Sequence, residues 1–221
     1  MITAGIIGRN GKTQTANLIS SFLTLAGKKV SIIDSKNITE LDFKQIRSYL
    51  CELERNDTDI LVFKINILDV RRYIYDDLHF DIIVYTDKAD DFNEISINDY
   101  IEHMRRFFSL VDEKGIVIVN VDDTDFARFS EGMKCYVVTY GFNTKASITT
   151  SSVGDVVFKE SFICCLQRTI FTKDGKVIEP QEYRIDIEPN EFNTHNVLAA
   201  VTFAVVNGID LGSLERIGVK N

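Results

Sequence analysis

No stretch of this 221-residue chain has an apolar run near the roughly 18 residues that a membrane-spanning helix requires, so a helical membrane protein is not expected. Met1 stands directly before the first predicted strand and leaves no room for a signal peptide; a cytoplasmic location is the expectation. Positive charge is scarce too: 25 Lys and Arg against 33 Asp and Glu give a net charge of -8. Nucleic acid and anionic lipid need clustered cations, so neither is an expected partner, and any anionic ligand has to be held by a local device. Cys51, Cys135, Cys164 and Cys165 lack C-x-x-C spacing, and the adjacent pair in an apolar strand pattern points to opposite sheet faces, which favours reduced structural thiols. No internal repeat, low-complexity stretch or flexible linker divides the chain, so residues 1–221 read as one domain.

What is present is an alternation of strands and helices. Ile2 to Gly8 is a short buried strand pattern, and Thr13 to Ala26 carries Ala16, Leu18, Ile19, Phe22, Leu23 and Leu25 at near-helical spacing, closed by Gly27. Strands follow at Lys29 to Asp34, Thr58 to Ile65, Phe80 to Thr86, Gly115 to Val121 and Lys134 to Thr139, with helices at Glu40 to Glu54 and Ile97 to Val111. This order predicts an α/β fold: a doubly wound, mostly parallel sheet with helices on both faces and right-handed crossovers. From about 143 to 190 the pattern changes to short apolar runs (Val156 to Phe158, Phe162 to Leu166, Thr169 to Thr172, Tyr183 to Ile187) separated by turn signals such as Asp174-Gly175, which predicts a small antiparallel β subdomain. Phe192 to Asn207 is an Ala-rich helix ended by Gly208, and Leu211 to Ile217 a short one.

The segment Gly5-Ile6-Ile7-Gly8-Arg9-Asn10-Gly11-Lys12-Thr13 lies between the first strand and the first helix. Gly8 and Gly11 let the backbone curl so that successive N–H groups face one anion; the helix adds its positive end, Lys12 a point charge and Thr13 a hydroxyl for Mg2+. The strict phosphate-loop pattern wants a small residue where Ile6 stands, with Gly5 one place further out. A nucleotide is the expected ligand, bound by Gly8, Arg9, Asn10, Gly11, Lys12 and Thr13, with Lys12 the catalytic candidate. Phosphate loops are usually completed by an acid at a neighbouring strand end that holds the Mg2+, and both Asp34 and Asp87 fit that rule.

These residues resemble the central, ATP-binding domain of the Mur ligases, most nearly the UDP-N-acetylmuramyl-tripeptide synthetase type. That family's Gly-x-Thr-Gly-Thr-Asn-Gly-Lys-Thr loop is similar to Gly5 to Thr13, with Ile7 and Arg9 in place of two threonines. Phe80-Asp81 leading to Thr86-Asp87 looks like its Phe-Asp strand, Asn120-Val121-Asp122-Asp123 like its Asn-x-Asp-Asp, and Tyr140-Gly141 like its Tyr-Gly. Phe192-Asn193, Asn196 and Leu198-Ala199-Ala200 look like the helix start whose asparagines meet adenine. The resemblance implies ATP and Mg2+ as cofactors, adenine contacts at Asn193 and Asn196, a nucleotide contact at Asn120, and metal ligands at Thr13 and Asp87.

The departures bear on activity. Lys64 stands where the family has a magnesium-binding Glu, Met104 falls on the lysine whose carbamylated form binds magnesium, and Lys88 to Asn93 lacks the family's histidines. The family's N-terminal UDP-sugar domain and C-terminal ligase domain have no counterpart in the 221 residues. Three functions remain open at this point: an ATP-binding domain without complete ligase activity of its own; an active ATP-dependent acid–amino-acid ligase or ATPase with a divergent metal site, or with domains supplied by a partner chain; and an unrelated phosphate-loop kinase or NTPase, against which the matched Asn193 and Asn196 count. The first is preferred.

Overall fold

The computed structural model describes residues 1–8, 11–38, 41–70, 78–87, 96–151, 162–185 and 193–213. Strand β1 (Ile2–Ile7) leads into helix α1 (Lys12–Leu25), followed by β2 (Val30–Asp34), α2 (Phe43–Arg55), β3 (Ile60–Ile65), a single turn α3 (Ile67–Val70), β4 (Phe80–Tyr85), α4 (Ile97–Phe108), β5 (Val111–Asn120), the short α5 (Phe126–Phe129) and β6 (Tyr136–Tyr140). Then come β7 (Ile148–Thr150), β8 (Phe162–Leu166), β9 (Ile170–Phe171), β10 (Val177–Ile178), β11 (Gln181–Ile185) and α6 (Thr194–Val206).

Nine strands form one sheet in the order β11-β8-β7-β6-β5-β4-β1-β3-β2. From β2 to β7 every pairing is parallel, and β1 lies between β3 and β4. Alternation along the strands sorts the side chains onto two covered faces. Ala4, Ile6, Val62, Val84, Ile118 and Val138 join α1 and α6 in one apolar cluster, while Ile7, Phe63, Ile83, Tyr85 and Val119 join Ile46 of α2, Tyr100, Met104 and Phe107 of α4, and Phe129 of α5 in the other. Helix α6 is buried from Asn196 to Val206, which explains its apolar, Ala-rich composition on all sides. Gly5 is a packing glycine: a Cβ there would stand 3.0 Å from Phe107 Cζ and 3.1 Å from Ile65 Cδ1.

The doubly wound architecture agrees with the sequence-based expectation, and the antiparallel portion takes a more specific form. β7 pairs antiparallel with β8, and β8 with β11, so these strands prolong the main sheet; among the described residues only β9 and β10, flanking Asp174-Gly175, make a separate two-stranded sheet. Burial provides the reason, because Ile148, Cys164, Leu166, Tyr183 and Ile185 continue the apolar face that contains α6. All four cysteines are free, Cys164 buried and Cys165 partly exposed on the opposite face. Val156 to Phe158 and the end of the Leu211 to Ile217 helix lie outside the described residues; Leu211–Ser213 is a 3-10 turn. The helix expected to run to Val111 stops at Phe108, since Val111 is already paired with Phe80 in the sheet. Among the described residues no helix is long and apolar enough to cross a membrane.

Candidate functional site

The carboxyl ends of β1, β3, β4 and β5 meet the N-termini of α1 and α6, the place where open α/β sheets present ligands. Gly8, leaving β1, has φ +149°, and a Cβ there would fall 2.0 Å from Thr86 Oγ1 and 3.0 Å from the Asp87 backbone nitrogen. Gly11 opens α1 with φ +75°, and a Cβ on it would stand 2.1 Å from Asn196 Oδ1. Helices α2, α4 and α6 are capped by the side chains of Asp42, Ser96 and Asn193, whereas α1 has no side-chain cap and no acid in its first turn. Its leading amides and positive dipole end therefore stay uncompensated from within the helix, as an anion site requires. Burial pushes the Lys12 ammonium below its ordinary pKa, opposed by the nearby carboxylates of Asp34, Asp87 and Asp69.

Beside the loop a second cation is fixed in place. Asp34 and Lys64 are register partners in the β2–β3 ladder, and their side chains form an ion pair of 3.2 Å. Lys64 Nζ also donates to Thr13 Oγ1 at 3.4 Å. Burial pushes the Asp34 carboxyl up, yet the Lys36 N–H and the bond and charge of Lys64 outweigh it, and the group ends below its usual range. Next to them, Ser35 donates to Asp69, and Asn66 N donates to Ser35 Oγ at 3.2 Å.

On the other side of the loop, a cavity of ≈ 550 Å³ is lined by Gly11, Gln14, Thr86, Asp87, the 120–125 turn and the start of α6. Its floor is tied together at two adjacent carbonyls: Thr86 O accepts from Asn120 Nδ2 at 3.0 Å, and Tyr140 Oη donates to Tyr85 O at 3.2 Å and Thr86 O at 3.4 Å. Asn120 Oδ1 in turn accepts from Asp122 N at 3.0 Å. Asp122 accepts from Phe142 N at 2.7 Å and Asn143 N at 2.9 Å and pairs with His195 Nε2 at 2.8 Å. Burial raises the Asp122 carboxyl, but those three partners prevail and hold it below the ordinary value. Asn196 Nδ2 donates to Gln14 Oε1 at 2.6 Å, fastening α6 to α1.

Gly8, Gly11, Lys12, Thr13, Asp87, Asn120, Asn193 and Asn196 thus gather around one site. Arg9, Asn10 and the Lys88 to Asn93 segment lie outside the described residues. Asn193 caps α6 by accepting from His195 N at 2.8 Å, and Asn120 spends its amide on the floor of the cavity. Met104 is 1% exposed among Tyr100 and Phe107, directed into the core. Sequence reasoning missed Gln14 and the Asp122–His195 pair; the signals were the neighbour of Thr13 and a histidine between the two asparagines.

The described residues do not fit the Mg2+ expected at Thr13 and Asp87. Mg2+ binds its oxygens at about 2.0–2.1 Å, and an ion on Thr13 Oγ1 would share that hydroxyl with the Lys64 ammonium 3.4 Å away.

Sheet and helix start together define the class: a doubly wound α/β domain with positive-φ glycines at the end of β1 and the start of α1, at the carboxyl edge of the sheet. The Mur ligase middle domain model matches residues 6–204, and the chain belongs to that family. The UDP-N-acetylmuramoyl-L-alanyl-D-glutamate–2,6-diaminopimelate ligase of Chlamydia trachomatis (serovar D) is 23% identical over 228 residues, covering 96% of this chain and 44% of the ligase. The UDP-N-acetylmuramate–L-alanine ligase of Caldanaerobacter subterraneus is 26% identical over 205 residues, 93% of this chain and 41% of that protein. Of solved structures, a UDP-N-acetylmuramoyl-L-alanyl-D-glutamate–2,6-diaminopimelate ligase superposes with a TM-score of 0.76 at 17% identity over 97% of this chain and 45% of its own. E. coli FolC in complex with DHPP and ADP gives 0.62 at 14% identity, covering 100% of this chain and 59% of that one. The structural likeness shows the fold, and the chain spans less than half the length of the two curated ligases.

Proposed function

We propose that this chain is an adenine-nucleotide-binding domain, with ATP as its ligand, that does not complete a ligase reaction on its own. The observation that carries this is the uncapped first turn of α1 with Gly8 and Gly11 at positive φ before it and the Lys12 ammonium beside it in an otherwise acidic protein. Phosphates seat on the loop and Lys12; the base extends into the cavity toward the start of α6, where Asn193 and Asn196 offer the amide donor and acceptor that match the adenine edge. Membership in the Mur ligase middle domain family supports the nucleotide, as does the ADP named with the similar FolC structure.

Acid–amino-acid ligation needs positive charge where a carboxylate attacks the γ-phosphorus, and in the resembled enzymes magnesium supplies it. Lys64 beside Thr13 and Met104 in the core stand where the resembled enzymes carry two of their magnesium ligands. Calorimetric titration with ATP should give binding that Lys12→Ala weakens at least about tenfold, the loss of one charge-assisted contact. An unchanged affinity in that variant defeats the phosphate assignment, and competition by GTP as strong as by ATP defeats the adenine site.

A further inference from the structure

The geometry points to a nucleotide site that works without a divalent cation: the Lys64 ammonium, pinned by Asp34 and bonded to Thr13 Oγ1, takes the place of the metal beside the β- and γ-phosphates. The inference rests on the nucleotide reading above and goes beyond it by assigning the counter-ion.

Three observations converge. Lys64 is not a solvated strand-end lysine, because its side chain is only 18% exposed and has two partners, at 3.2 Å and 3.4 Å. Its position is dictated by the sheet: Lys64 is in register with Ile6 on one side and Asp34 on the other, so its Cβ leaves β3 on the face covered by α1. From there the four-carbon stem brings the ammonium to the first hydroxyl of α1, the group assigned by sequence to a metal. Asp34, whose carboxyl is held in its charged form by Lys36 N–H and Lys64, is consumed in steering that ammonium.

An ammonium and a divalent ion compete for one hydroxyl, and their repulsion at a separation of a few ångströms disfavours the pair. The ammonium is tethered, so ordering it costs little, and with Lys12 it gives two fixed positive charges for the polyphosphate. A site of this kind takes free ATP as readily as its magnesium complex, and retains nucleotide where divalent ions are withdrawn.

The test is calorimetric titration of ATP into the full chain in excess EDTA and again in excess Mg2+. Wild-type affinities in the two conditions should agree within about fivefold; a larger loss in EDTA overturns the inference and leaves the nucleotide assignment standing. Lys64→Met should lose at least about fivefold in EDTA, and a smaller loss likewise overturns it. Lys64→Glu should bind poorly in EDTA and regain affinity with Mg2+. Absence of ATP binding to the wild type in both conditions removes the nucleotide reading and the inference with it.

Discussion

Replacing Gly11 by alanine tests the contact that joins the loop to the far end of the chain, and its size follows from the geometry. An L-residue at φ +75° costs about 1–2 kcal/mol, offset by roughly 0.4–1 kcal/mol of lost unfolded-state freedom. The new Cβ also arrives 2.1 Å from Asn196 Oδ1, so the amide has to turn away and surrender its bond to Gln14, about 0.5–1.5 kcal/mol, and find new space. Gly11→Ala should therefore destabilise by about 0.5–3 kcal/mol. Asn196→Ala removes the same bond and costs about 1–1.5 kcal/mol. Combined, the two changes should cost roughly 1 kcal/mol less than their sum, because the collision and the bond loss are counted only once. Urea unfolding of all four proteins, with unchanged m-values, measures this coupling. Additivity within about 0.3 kcal/mol refutes the contact between Gly11 and Asn196 as described.

Phosphate release by the wild-type chain should stay slow across a Mg2+ titration, and fast, metal-saturable turnover overturns the view that ligase chemistry is incomplete here. Asp122 has a folded-state pKa below its ordinary 3.8, so its contribution to stability is present above that value and lost as pH falls through the depressed one. Urea midpoints of the wild type and Asp122→Asn should accordingly converge as pH falls from about 5 through the depressed folded-state value below 3.8, whereas a constant gap contradicts the hydrogen-bonded carboxylate.

Local signals in the sequence were sufficient for much of this molecule. A short buried apolar run, near-helical apolar spacing and glycine punctuation place β1 and α1 within a residue or so, and the Asp42–Gln45 capping box marks the start of α2 within the longer helix expected from Glu40. Strand partners are another matter, since nothing near Ile148 or Phe162 states that these strands will prolong the main sheet; the decision rests with the apolar surface that α6 offers them. The same limit applies to the site. Lys64 can be recognised as a departure from a family pattern, but its union with Asp34 and Thr13 depends on the β2–β3 register and the way α1 lies over it. Asn120 lines the cavity and also bonds the main chain of Thr86 and Asp122, a role that only the packed structure discloses.

The bond between Gln14 and Asn196 spans 182 positions of sequence. Closing so long a loop is entropically slow compared with forming the neighbouring strand–helix units, so the two halves of the ligand pocket are united late in folding. On the nucleotide reading proposed above, the ligand bridges the starts of α1 and α6, so its capture reports that the two helices have docked.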